Sequence, residues 1–316
     1  MSTALVTGAT GQDGSYLTEL LVERGWEVHT ATRDVDATAA TLPESVIPHT
    51  ADLLDIPGLA RLIDEVEPDV VFNLAGISSV AESWKRPEAT ARIVGSAVAG
   101  ILDAALTTGE RLGRQVRVLQ ASSSEIFGRA EVTPQDESTP MRPVSPYGAA
   151  KAFAQDLVRI YRTRGLHASS VILFNHESPR RPTTFVTRKI TATAAAIAKG
   201  EADGLSLGNL DAKRDWGWAP DYVDAMFRVA TAEIPSDYVV ATGESHTVRD
   251  FVAAAFTAAG LPDWGPYVSI DPAFVRPDDA PEMRGDASRI RTELGWAPTR
   301  SFEGVVAAMV EHDLAR

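Results

Sequence analysis

The stretch LVTGATGQDGSYL, residues 5–17, decides the fold. It sets Gly8, Gly11 and Gly14 in a G-x-x-G-x-x-G turn directly after the apolar run Ala4–Thr7, at the head of a helical pattern ending near Arg24. Glycines there permit a tight turn and let the backbone approach a pyrophosphate. The helix behind them offers the positive end of its dipole. Three glycines in a loop also suit a plain structural turn. Placed at the first strand of an alternating strand–helix series, they point to a dinucleotide. Thr10, Gln12 and Asp13 lie in the same turn and are expected to share its cofactor role.

The series continues outward. EVHTAT at 27–32 reads as a strand and a third strand precedes Asp52. The 58–66 stretch reads as a helix, DVVFNLA at 69–75 as a strand, 88–107 as an Ala-rich helix and VRVLQAS at 116–122 as a strand. This rhythm predicts an α/β fold, a Rossmann-type doubly wound parallel sheet. Beyond Asn175, Pro and Gly become frequent and the rhythm loosens. The expected division is a dinucleotide-binding domain over 1–174, with later segments interleaved. A smaller substrate-binding lobe is expected mainly over 175–316.

The chain has 316 residues, 44% of them hydrophobic, which suffices for a sizeable core. It has no cysteine, so disulfides and thiolate catalysis are excluded, and a cytoplasmic setting is expected. No signal peptide and no membrane-spanning run are expected either. A formal net charge of −13 argues against nucleic acid as a partner. An anionic substrate would need a local cluster of Lys and Arg set against that background. No metal site is expected.

SPYGAAK at 145–151 puts Tyr147 and Lys151 at i and i+4, on one face of a helix that Pro146 can start. An ammonium beside a phenol stabilises the phenolate and makes the tyrosine a usable base. The plain alternative is a surface Tyr–Lys pair. QASSSEIFG at 120–128 ends the strand that precedes them, and ligands in open α/β sheets meet the carboxyl ends of strands. Ser123 is therefore placed to hydrogen-bond a hydroxyl under oxidation. Glu125, two residues on, points to the same side if the strand persists, and a carboxylate there suits proton abstraction from carbon. Its other role would be a structural hydrogen bond. After the second strand, Thr32 offers no carboxylate and Arg33 follows, a guanidinium that suits a 2′-phosphate, so NADP is expected. Asp34 adjoins it, and a surface ion pair is the alternative reading.

The glycine spacing together with Ser123, Tyr147 and Lys151 resembles the extended short-chain dehydrogenase/reductase family. LFNHESPRRPTTFVTRKI at 173–190, SLGNLDAKRDWGWAPDYVDAM at 206–226, ATGESHTVRDF at 241–251 and the RP…GD…LGW run from Arg276 to Trp296 narrow this. They resemble the GDP-mannose 4,6-dehydratase family over nearly the whole chain. The resemblance implies further cofactor contacts at Asp52, Leu53, Leu74, Ala75, Gly76, Ser78, His176 and Arg181. It implies GDP-sugar contacts at Ser78, Glu125, Asn175, Val186, Lys189, Asn209, Arg214, Arg276 and Asp279. The chain departs from the pattern at Phe127, at Pro182 and Thr183, at Asp34 and in ISSVAESW at 77–84.

What the resemblance implies is NADP-dependent dehydration of GDP-mannose to GDP-4-dehydro-6-deoxy-mannose. Carbon 4 is oxidised, water is eliminated across carbons 5 and 6, and hydride returns to carbon 6. The rival readings are a GDP-4-dehydro-6-deoxy-mannose reductase, a dehydratase of another nucleotide sugar, and a non-catalytic NADP-responsive binding protein. A homodimer is expected, paired through the helices near 88–107 and 147–162.

Overall fold

The computed structural model describes residues 1–274 and 282–316. Its centre is a seven-stranded sheet built from β1 (Thr3–Thr7), β2 (Glu27–Thr32), β3 (Ile47–Thr50), β4 (Val70–Asn73), β5 (Arg117–Ala121), β6 (Ala168–Leu173) and β7 (Asp237–Val240). The order is β7-β6-β5-β4-β1-β2-β3, with every pairing parallel. β4, β6 and β7 are buried at every position, as strands covered on both faces must be.

One face of the sheet, with Leu5, Val71 and Val118, packs against α3 (Ile56–Val66), α4 (Ala97–Leu112) and α5 (Pro146–Thr163). The other, with Val6, Phe72, Leu119 and Val171, packs against α1 (Gln12–Glu23) and α7 (Ala219–Thr231). A separate core gathers Ile190, Leu207, Trp216, Phe251, Phe302 and Val306. They come from α6 (Val186–Ala198), α8 (Val248–Ala258), α9 (Phe302–Leu314) and the short strands between. β7 returns from this later sequence to the edge of the central sheet, so the chain interleaves.

Local chemistry sets the helix starts that matter for the site. Ser145 accepts the Gly148 amide at 3.0 Å and Pro146 occupies the first turn, so α5 begins where Tyr147 must be presented. α8 begins with a full capping box, Thr247 and Asp250 each receiving the other's backbone N–H. By contrast, α1 has Gly11 at its N-cap with no side-chain cap.

One expectation needs correction. The helical run Pro87–Leu112 is long and apolar enough to cross a membrane by length and composition alone, which the sequence reading did not register. Half of that window is buried, and Val98, Ile101, Leu102 and Ala105 fill the core over the sheet. After β2 the chain turns at once into a further short helix. Asp34 accepts the Ala37 amide at 3.0 Å and caps a short helix, α2 (Val35–Ala39, preceding β3 in the chain).

Candidate active site

A cleft of about 710 Å³ opens over the carboxyl ends of β1, β4, β5 and β6. Its floor is the glycine turn. Gly8 has φ +76°, and a Cβ there would lie 2.8 Å from the Ala75 backbone nitrogen. A Cβ on Gly14 would lie 2.1 Å from the Gly8 carbonyl oxygen. Both positions therefore require glycine for the turn to close at all. With no side chain capping α1, the amides of its first turn are left for an acceptor from outside.

Ser123, Glu125, Tyr147 and Lys151 meet in one wall of this cleft. Glu125 does not arrive as expected. The strand stops at Ala121 and Ser124–Ile126 forms a 3₁₀ turn, with the Ser123 hydroxyl accepting the Glu125 amide at 3.3 Å. The turn, rather than strand alternation, brings both side chains to the cleft. Phe127 is buried against Phe174 at a centroid distance of 6.2 Å, in a setting that asks for no hydroxyl.

Tyr147 and Lys151 are both buried, 8% and 5% exposed. Burial pushes the Tyr147 phenol up to about 12, against a lowering hydrogen bond from Ser123 and a raising contribution from the Glu125 charge. Burial also pushes Lys151 down, to about 8, with Asp13 opposing. The ammonium lies 5.8 Å from the Tyr147 ring centroid and donates to the Ala121 carbonyl oxygen at 2.6 Å. Lys151 was expected to stabilise the phenolate; its ammonium is directed to the Ala121 carbonyl, and burial holds the phenol up.

Opposite this wall runs the 175–177 strand, paired in parallel with Trp216–Trp218. His176 Nδ1 lies 2.7 Å from the Phe174 carbonyl oxygen, and Nε2 lies 3.0 Å from both oxygens of Asp13. A carbonyl and a carboxylate only accept, so this setting favours a ring protonated on both nitrogens. Burial opposes that charge, but Asp13 prevails and raises the His176 pKa. Burial likewise opposes the Asp13 charge, and His176 holds its pKa below the ordinary value. Gln12 donates to the His176 carbonyl at 3.1 Å and accepts from Ser178 at 2.8 Å. The phosphate turn is thereby tied to the segment that leads into the later core.

Arg181 donates to the His176 carbonyl at 2.9 Å, pairs with Glu177 at 3.0 Å and lies 4.1 Å over the Phe185 ring. Lys189 donates to the Ser206 carbonyl at 2.7 Å and lies 4.2 Å over Phe274. Arg33, Lys151, Arg181, Lys189 and Arg214 line the cleft against the acids Asp13, Glu125 and Glu177. This is the local cationic excess that an anionic ligand needs on an acidic protein.

Every residue of the turn singled out in the sequence lines the cleft, as do Leu74, Ala75, Gly76, Ser78, Asn175, Val186 and Asn209. Asp52 and Leu53 do not. Asp52 accepts the Leu54 amide at 2.9 Å, and Leu53 packs against the core. Arg276 and Asp279 lie outside the described residues. The sequence reading missed Glu177, Phe185, Thr187, Trp216 and Phe274. Glu177 stood inside the quoted 173–190 run. Phe274 carried no local signal, since only the fold brings it over Lys189. A smaller hollow of about 350 Å³, lined by Gly109, Arg114 and Leu166 among others, holds none of these groups.

The model of the family described as GDP-mannose 4,6 dehydratase matches residues 5–309. The GDP-mannose 4,6 dehydratase 1 of Arabidopsis thaliana is 44% identical over 324 aligned positions, covering 98% of this chain and 89% of that protein. Among solved structures, the UDP-glucose 4-epimerase of Thermus thermophilus in complex with NAD superposes with a TM-score of 0.85 at 26% identity, covering 98% of each chain. RMD from Pseudomonas aeruginosa, complexed with NADPH, gives 0.83 at 25% identity over 100% of both chains.

Proposed function

The chain belongs to the GDP-mannose 4,6-dehydratase family, and from that membership and the cleft we propose that it dehydrates GDP-mannose to GDP-4-dehydro-6-deoxy-mannose with a bound NADP. The observation that carries the reading is the meeting of Ser123, Glu125, Tyr147 and Lys151 in one wall of a cleft floored by the glycine turn.

A dinucleotide fits the residues present. Gly8 and Gly14 admit no side chain, and the uncapped start of α1 suits a pyrophosphate. A nicotinamide cofactor is further supported by the NAD and NADPH of the two structural relatives. NADP in particular is supported by Arg33, which lines the cleft, and by Asp34, whose carboxylate is engaged as the cap of α2. When bound, the cofactor supplies a hydride acceptor for carbon 4 and a hydride donor for carbon 6.

The side chains handle protons and position. Ser123 hydrogen-bonds the carbon-4 hydroxyl and Tyr147 takes its proton as the ketone forms. Burial holds that phenol up at about 12, and positive charge from Lys151 and a bound oxidised cofactor would favour the phenolate. The ketone acidifies the hydrogen on carbon 5, which Glu125 removes. Water leaves from carbon 6, protonated by Tyr147, and Glu125 returns a proton to carbon 5. Lys189 and Arg214 meet the diphosphate. A reductase acting on the keto sugar would leave Glu125 without a task. Glu125→Gln tests the reading: it should bind GDP-mannose as the parent does, yet form no dehydrated 6-deoxy product. Dehydration at near-parental rate in that variant overturns it.

The dimer is proposed on α5, where Phe153 and Ile160, seven residues apart, are 50% and 54% exposed on one helix face.

A further inference from the structure

Resting on the reading of Lys151 as catalytic, one buried feature beneath it has no part in the chemistry above. Thr7, Asn73 and Gln120 are polar side chains 1–4% exposed, at the last or next-to-last position of β1, β4 and β5. Thr7 and Asn73 are register partners, as are Asn73 and Gln120. Strand alternation puts all three on the face of Leu5, Val71 and Val118, the face that α5 covers.

Their hydrogen bonds run in one direction. The Ala75 amide donates to Thr7 Oγ1 at 3.1 Å. Thr7 donates to Asn73 Oδ1 at 2.7 Å, and Asn73 Nδ2 to Gln120 Oε1 at 2.7 Å. Gln120 Nε2 then donates to the Ala121 carbonyl oxygen at 2.8 Å. That same oxygen receives Lys151 Nζ at 2.6 Å. A head-to-tail chain of donors in a dry interior strengthens its own links and fixes the group at its end. Here the end is the acceptor that holds Lys151. Apolar side chains at all three positions together would fill the space with no buried side-chain polar group to satisfy, so the chain is not what packing alone requires.

We propose that Gln120 is a positioning residue for Lys151, acting through the Ala121 carbonyl at the end of this buried chain. It holds the carbonyl in one orientation and shares its lone pairs with the ammonium. Lys151 is thereby kept at one height along the cleft wall. Gln120 touches neither substrate nor cofactor.

The test uses the holoenzyme and two variants, with Lys151→Ala beside them. In Gln120→Leu, kcat should fall at least about tenfold while KM for GDP-mannose stays within about twofold. Gln120→Glu keeps the shape and the acceptor for Asn73 but turns a carboxylate toward the carbonyl, and it decides the matter if the leucine variant does not fold. The pH midpoint for acylation of Lys151 by acetic anhydride, read by peptide mass spectrometry, should rise by about one unit in it. A purely structural role would lower the melting temperature and leave both readouts unchanged. Folded variants with parental kcat and parental acylation midpoint overturn the inference. If the parent forms no keto sugar, the dehydratase reading fails instead, and the acylation midpoint still judges Gln120.

Discussion

Tyr147→Phe removes a single oxygen, and the structure separates its two consequences. The phenol is buried and hydrogen-bonded to Ser123. Losing one neutral hydrogen bond costs about 1 kcal/mol of stability. In a chain of this size that is at most roughly 2–4 °C in melting temperature. The catalytic loss is larger. On the proposed mechanism no other side chain in the wall replaces the phenol, because Glu125 serves carbon 5 and Lys151 is turned to the Ala121 carbonyl. Loss of a general base lowers turnover on the order of a hundredfold or more. That is about 2.7 kcal/mol of barrier, nearly three times the stability term. The assay is a single turnover with excess enzyme carrying its own cofactor, following reduced-coenzyme absorbance after GDP-mannose is added. The variant should melt within a few degrees of the parent and form reduced coenzyme at least about a hundredfold more slowly. Formation at the parental rate refutes the assignment of Tyr147 as the base.

Gly14→Ala should lose bound cofactor, because its Cβ would lie 2.1 Å from the Gly8 carbonyl oxygen; coenzyme released on denaturing the purified variant measures this, and parental occupancy counts against the turn as the phosphate site. The Asp13–His176 pair gives a pH signature. The raised His176 pKa contributes stability that is full below 6.5 and lost as pH rises through the raised value, while the lowered Asp13 pKa contributes stability present above 3.8 and lost as pH falls through the lowered value. The stability gap between parent and Asp13→Asn should therefore be widest between those two pH values and narrow above them, and a gap that grows toward alkaline pH contradicts the pairing. Cofactor extracted from fresh protein should be NADP(H), and Arg33→Ala should erode the preference; mainly NAD(H) in the parent reverses the assignment. Light scattering should give two chains per particle, and Phe153→Glu should shift it toward one; a stable mass near four chains contradicts the proposed interface.

The fold was legible because its signals were local. The glycine turn, the buried parallel strands and the Ser145–Pro146 helix start each sit within a few residues of sequence. Tyr147 and Lys151 were legible for the same reason, since an i, i+4 spacing behind a helix start fixes their place. What the sequence did not yield depends on contacts between distant segments. The 3₁₀ turn at Ser124–Ile126 replaces the strand that was to orient Glu125. Asp34, read as the neighbour of Arg33 with a surface ion pair as the alternative, serves as a helix cap. Asp13 meets His176 across 163 positions, and Thr7, Asn73 and Gln120 meet only when three strands align. Lys151 was expected to tune Tyr147, and the burial of both groups, which opposes both charges, shows only in the fold.

The central claim is an internal redox cycle completed by a carbon-5 base, and one incubation tests it most directly. The purified protein is mixed with GDP-mannose in heavy water with no coenzyme added, and the product is examined by mass spectrometry and NMR. The account predicts GDP-4-dehydro-6-deoxy-mannose carrying deuterium at carbon 5, formed over many turnovers without net coenzyme consumption. No keto sugar, or no more keto sugar than the coenzyme that the protein carries, contradicts it.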